Sequence, residues 1–154
     1  MGLFHTRTDY NANMETLPTL TFRRARADDL AAMRALWPEQ TLEACQAWLA
    51  QRTRWITLAH QGDRLAAGGE LARAGRTVEI ANLIVLPAWR RRGVGRALVA
   101  HLCDLARHFR ARRVQLTVDP SNLPALRLYA ACGFETVGLL PLTPSHLLIM
   151  EKRL

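Results

Sequence analysis

Arg90-Arg91-Arg92-Gly93-Val94-Gly95-Arg96 is the run in this chain whose residue types and spacing could do chemistry. Its two glycines permit a tight turn free of side chains. A helix opening there aims unpaired backbone N–H groups, and the positive end of its dipole, at one point in space. Four arginines surround that point, and guanidinium suits phosphate oxygens. A pyrophosphate is the guest that fits.

Elements on either side must hold this turn. Val78 to Leu86 is nearly continuous apolar sequence bounded by Gly75 and Pro87, which predicts a central strand buried on both faces and ended by the proline. Leu98, Leu102, Leu105 and Phe109 then recur at three- and four-residue spacing, which predicts a helix. Two other phosphate motifs are excluded. Position 98 is Leu where a dinucleotide-binding turn needs a third glycine, and no Gly-Lys-Ser/Thr follows as a Walker loop requires.

Before this stretch, residues 1 to 18 show no period and read as a loose arm, leaving 19 to 154 as one domain. Thr19 to Arg24 predicts a short strand. Asp28 or Asp29 then caps a helix with apolar face Leu30, Met33, Leu36 and Trp37, and Thr41 caps a second carrying Leu42, Cys45, Trp48 and Leu49. Trp55 to His60 and Arg64 to Arg73 form a hairpin, and the turn at Gly75 leads into the central strand.

Downstream, Arg113 to Val118 alternates with a strand's period of two, so the strand, helix, strand order implies a parallel crossover. Asn122 caps a further helix with Pro124 in its first turn and Gly133 at its stop. Residues 134–140 and 146–153 predict a last pair of strands joined by a proline-rich loop.

Composition narrows the function classes. With 154 residues, 49% of them hydrophobic, the chain has material for a real core. No apolar run approaches the roughly 20 residues that span a bilayer, so a soluble, cytoplasmic protein is expected. The formal charge is +8, yet every basic residue but Lys152 is Arg and the charges are spread along the chain, so no nucleic-acid partner is expected. Cys45, Cys103 and Cys132 are odd in number and sit among apolar neighbours, which predicts free thiols and no metal site.

The glycine turn, preceded by Val85-Leu86-Pro87, resembles motif A of the GNAT superfamily of acyl-CoA-dependent N-acetyltransferases. Asn122-x-x-Ala125-x-x-Leu128-Tyr129-x-x-x-Gly133-Phe134 resembles motif B of the same superfamily, and the likeness runs from about residue 19 to 154. It implies an α/β fold with a mixed, mostly antiparallel central sheet of six to seven strands, a splayed parallel pair and about four flanking helices. The co-substrate it implies is acetyl-CoA, without a metal. The acceptor is a primary amine, in a small molecule or a peptide, attacking directly in a ternary complex.

By the same resemblance, backbone groups of Leu83, Ile84 and Val85 pair with the pantetheine arm, and a strand N–H near Val85 holds the thioester carbonyl. The turn from Arg90 through Arg91, Arg92, Gly93, Val94 and Gly95 to Arg96 cradles the pyrophosphate. Asn122 touches the pantetheine side, with a helix cap as its other reading. Tyr129 is the general acid for the leaving thiolate, the alternative being a Tyr packed on its helix's apolar face.

Glu79 is the leading general base, because a carboxylate in an apolar run needs a reason to be there. A structural carboxylate paired with an Arg is its other reading. Glu70 and His146 are back-up bases, each read as a surface or substrate-lip residue. The ribosomal-protein branch of the superfamily places its base where this chain has Thr117, which cannot serve. Nothing beside Cys132 suggests an activated thiol. A non-catalytic acyl-CoA-binding module is the alternative function, and a homodimer is the assembly the resemblance suggests.

Overall fold

The computed structural model describes residues 19–154. The predicted arm at 1–18 lies outside the described residues. Seven strands form one sheet: β1 (Thr21–Arg24), β2 (Arg54–Gln61), β3 (Arg64–Ala74), β4 (Thr77–Val85), β5 (Arg113–Val118), β6 (Glu135–Pro141) and β7 (His146–Arg153). Their spatial order is β1-β2-β3-β4-β5-β7-β6, and only the β4–β5 pair is parallel. Helices α1 (Leu30–Leu36), α2 (Leu42–Ala50), α3 (Val94–His108) and α4 (Leu123–Ala131) complete it. This is the mixed, mostly antiparallel architecture expected.

Local chemistry explains the element ends. The Thr41 hydroxyl accepts from the Ala44 N–H and opens α2, and the Asn122 side-chain oxygen accepts from the Ala125 N–H and opens α4. Gly93 (φ 77°) precedes α3 and Gly133 (φ 88°) follows α4, in left-handed conformations that favour glycine. Asp29 stands at the start of α1 but does not cap it. Its carboxylate turns back to the Arg23 guanidinium (2.6 and 2.7 Å) and the Arg26 N–H (2.7 Å), tying β1 to the turn before the helix.

Two clusters form the core. One gathers Val78 and Ile80 of β4, Leu98, Val99 and Leu102 of α3, Val114 and Leu116 of β5, and Tyr129 and Phe134 at α4. The other joins Met33, Leu36 and Trp37 at α1 to Cys45 of α2 and Ile56 and Leu58 of β2. Each fully buried aliphatic side chain contributes about 1.5–3 kcal/mol. Cys45 and Cys103 are buried and Cys132 half-buried, all free thiols as expected.

β4 departs from expectation. It is not buried on both faces along its length, because Glu79 and Asn82 are exposed. At Asn82 (φ 52°) the strand bulges, and the register to β3 shifts between Gly68 and Glu70. The extra residue changes the phase. Val78 and Ile80 face the α3 cluster before the bulge, Leu83 and Val85 after it, and Ile84 packs against the α1 cluster.

Candidate active site

The site begins where two strands part. β4 and β5 pair only at Val78 with Val114 and at Glu79 with Gln115, whereas β4 stays paired with β3 as far as Val85. Beyond Glu79 the sheet therefore has an open wedge. Leu86 donates its N–H to the Ala66 carbonyl (2.9 Å), and antiparallel bonds alternate, so Ile84 and Leu86 turn their backbone groups to β3 while Leu83 and Val85 turn theirs to the wedge. One of the three expected pantetheine contacts is thereby corrected. Ile84 pairs with Gly68, so by the same alternation its N–H and C=O face β3. The Val85 carbonyl, for its part, accepts from Arg90 Nε (3.0 Å).

The glycine turn sits at the wide end of the wedge. Trp89 is buried and anchors it, with the Arg64 and Arg92 guanidiniums 5.1 and 5.9 Å from its ring centroid. Arg91 (φ 58°) and Gly93 (φ 77°) are both left-handed, which folds the chain back into α3. Arg90, Arg91, Arg92 and Arg96 are exposed around the start of this helix, and buried Val94 pins it to the core.

A Cβ at Gly95 would lie 3.3 Å from Leu128 Cδ2 and 3.5 Å from Val85 Cγ2. The end of β4, the start of α3 and the middle of α4 thus converge on one point, with a basic, side-chain-free turn beside it. Such a cradle fits a pyrophosphate with an extended arm leading into the wedge. Among the described residues no group of three or more His, Cys, Asp or Glu is placed to hold a metal.

Tyr129 follows Leu128 on α4. It is buried, its ring lies 6.0 Å from that of Phe134, and burial, with a smaller contribution from Cys132, raises its pKa above the ordinary 10. The phenol keeps its proton at neutral pH, as a general acid must. Burial likewise raises the Cys132 thiol, which speaks against a thiolate nucleophile there. Asn122 is exposed and caps α4, so the cap reading holds whatever else it touches.

The carboxylates separate sharply. Glu79 is exposed at the last β4–β5 rung, beside Gln115, on the face opposite Val78 and Ile80. Ordinary solvation accounts for it, so the argument from an apolar setting falls away; what remains is its place at the closed end of the wedge. Tyr129 shares a cluster with residues of the other face. Only an opening in the sheet lets groups from its two faces meet, and the wedge is that opening.

Glu70 is corrected outright. Expected at a surface or lip, it is fully buried on β3, where it accepts from Trp48 Nε1 (2.7 Å), Arg54 Nη1 (2.5 Å) and Asn82 Nδ2 (2.7 Å). A carboxylate so committed is no base for an incoming amine. His146 is exposed at the start of β7 and adds to the field that, behind two hydrogen bonds from Ser121, lowers the Asp119 pKa. Thr117 is exposed on β5.

Asn82 escaped the sequence reading, although a polar residue inside an apolar run was its signal as much as it was for Glu79. Its carbonyl accepts from Trp37 Nε1 (3.0 Å), and the Trp37 and Trp48 rings meet edge-on at 4.7 Å. Trp37, Trp48, Arg54, Asn82, Gln40 and Gln51 line a cavity of about 170 Å³ beside the bulge.

The chain is similar to known proteins in sequence and in fold. Over 85 residues, 53% of this chain and 52% of the relative, the sequence is 39% identical to the N-alpha-acetyltransferase RimI of Mycobacterium tuberculosis. The chain spans about half or less of the length of the curated relatives it matches (23%, 52% and 32%). The fold superposes on the ribosomal-protein-S18-alanine N-acetyltransferase of Escherichia coli with a TM-score of 0.74, at 22% identity over 87% of this chain and 93% of that one. It superposes equally on yncA of Salmonella typhimurium, solved with its cofactor acetyl-CoA (TM-score 0.75, 20% identity, 87% and 93% covered). The family model for the acetyltransferase (GNAT) family matches residues 22–134, most of the sheet and both motifs, and to that family the chain belongs.

Proposed function

We propose that this chain is an N-acetyltransferase that moves the acetyl group of acetyl-CoA directly to a primary amine. The observation carrying this reading is the wedge: two strands that part after two residue pairs, with the Leu83 and Val85 backbone turned into the gap and the basic glycine turn at its mouth. Acetyl-CoA, when bound, supplies the activated acyl carbon and a thiolate leaving group. Arg90 to Arg96 hold the pyrophosphate, and Leu83 and Val85 hold the arm.

The acceptor nitrogen attacks the thioester carbonyl carbon; a C–N bond forms and the C–S bond breaks. A backbone N–H of the second half of β4 supports the charge developing on the carbonyl oxygen. Tyr129 gives its proton to the departing sulfur. Glu79, directly or through water, takes a proton from the amine, whose charged form cannot attack.

The first acceptors to try are peptide N-termini, since part of the chain is similar to an N-alpha-acetyltransferase. An α-amine, with pKa near 8, also asks less of its base than a lysine side chain near 10.4, which suits a solvated Glu79. Helices α1 and α2 and the 141–145 loop flank the acceptor side in this reading. A homodimer belongs to the same proposal; outermost β6 exposes Val137 and Leu139, and sedimentation would read it.

The test is thiol release from acetyl-CoA with peptides bearing free N-termini, lysine peptides, aminoglycosides, polyamines and amino acids. Turnover with one amine class, lost in Tyr129→Phe, supports the reading. Acetyl-CoA binding without turnover on any amine would turn it toward a non-catalytic acyl-CoA-binding module.

A further inference from the structure

We infer that Glu70 is a positioning residue: through Asn82 it fixes the bulge that aims the backbone of β4 into the wedge. The inference rests on the acetyltransferase reading above and adds a device to it. A carboxylate that is fully buried has lost its hydration and persists only where donors replace it. Glu70 has three, and they come from α2, β2 and β4. Of these, Trp48 and Arg54 hold the carboxylate, and Asn82 is what the carboxylate holds.

Asn82 is the residue that needs holding. Its φ of 52° is left-handed, a conformation that costs a non-glycine residue free energy and that Asn tolerates better than most. Both ends of it are tethered: the side-chain amide to Glu70 (2.7 Å) and the carbonyl to the Trp37 indole (3.0 Å). Gly68 makes room for the second tether, since a Cβ there would lie 2.6 Å from Leu36 and 3.0 Å from Trp37.

The consequence lies one residue on. Without the inserted residue, β4 beyond position 82 would reverse phase, turning the Leu83 and Val85 N–H groups to β3 and their side chains away from the α3 cluster. The donors that face the wedge face it because Asn82 stays left-handed. The pyrophosphate turn is built from other residues, so loss of this device should depress turnover more than it weakens acetyl-CoA binding.

The experiment compares Asn82→Ala, Asn82→Gly, Glu70→Gln and the double variant Glu70→Gln/Asn82→Gly. For each, kcat and KM for acetyl-CoA are measured with the amine found active, and Kd for CoA by calorimetry. Asn82→Ala and Asn82→Gly lose the same contact with Glu70, but only glycine takes a left-handed φ freely. Asn82→Ala should lose at least about tenfold in kcat relative to Asn82→Gly, with a smaller fold-change in acetyl-CoA KM and CoA Kd. Glu70→Gln should lower kcat in the native background and much less in the Asn82→Gly background.

Equal kcat in Asn82→Ala and Asn82→Gly, or an undiminished Glu70→Gln loss in the glycine background, would overturn the inference. If Glu70→Gln does not fold, the alanine–glycine pair decides alone. If the unaltered protein acetylates no amine, the transferase reading fails by itself, and positioning is read from the Leu83 amide by NMR. On adding CoA that signal should shift in the native chain and in Asn82→Gly but not in Asn82→Ala; a shift in all three would refute it.

Discussion

On one side of Asn82, β4 runs between two partners; on the other side it has one. Thr77 to Ala81 lies against β3 and meets β5 at Val78 and Glu79, and its alternate residues are buried. Asn82 to Val85 keeps β3 alone and turns half of its backbone groups toward an opening. Nine residues of one strand thus serve two purposes. The first half closes the sheet, and the second leaves hydrogen-bonding capacity for a guest. The two carboxylates beside this strand divide in the same way, with Glu70 invested in structure and Glu79 left in solvent.

That contrast can be broken first by stability. Glu70→Ala takes the acceptor away from Arg54, Trp48 and Asn82 at once, and should cost about 1–3 kcal/mol, whereas Glu79→Ala should stay within about 0.5 kcal/mol. Equilibrium urea unfolding reads both. Similar costs would mean that the two carboxylates are not the structural and the free member of the pair.

Turnover sharpens it next. Tyr129→Phe should lower kcat about 100-fold or more while leaving the affinity for acetyl-CoA nearly unchanged. Because burial raises the Tyr129 pKa above its ordinary 10, the phenol stays mostly protonated below that pH, and the pH–rate profile should show no alkaline limb from it at pH 8 to 9. A limb near pH 8 to 9 that vanishes in Tyr129→Phe would contradict this environment.

Gly95→Ala addresses the open half directly. Its Cβ would press on Leu128 and touch Val85, where α4, α3 and β4 converge, and should weaken acetyl-CoA binding about tenfold, or about 1.4 kcal/mol, by calorimetry. The smallest effect lies away from β4, between α3 and β1. His101 stacks on Phe22 (4.5 Å between centroids), and burial lowers its pKa below 6.5. A depressed folded-state pKa gives stability that is present above pH 6.5 and lost as the pH falls through the folded value. Thermal stability should decline modestly below pH 6.5, and His101→Gln should flatten that decline.

Much of the scaffold around β4 was legible in the sequence. Arg113 to Val118 is a strand with the bounds its alternation predicts, and Thr41 and Asn122 cap the helices their positions announce. Such features depend on neighbours a few residues away. The turn at the mouth of the wedge and the helix carrying Tyr129 were legible through the Gly93-Val94-Gly95 run and the pattern around Tyr129. The reach of Glu70 was not: its partners lie 12, 16 and 22 residues away, on three different elements. Burial of a carboxylate cannot be read from a strand whose two faces look alike.

The sequence by itself determined the order of elements, the basic glycine turn and the helix carrying Tyr129, because periodicity, capping and glycine's freedom act locally. Tertiary structure alone decided where β4 and β5 stop pairing, which backbone groups face the gap, and which carboxylate is buried. Those outcomes depend on one inserted residue at Asn82, and its left-handed turn is held by groups that only the folded sheet and helices bring together.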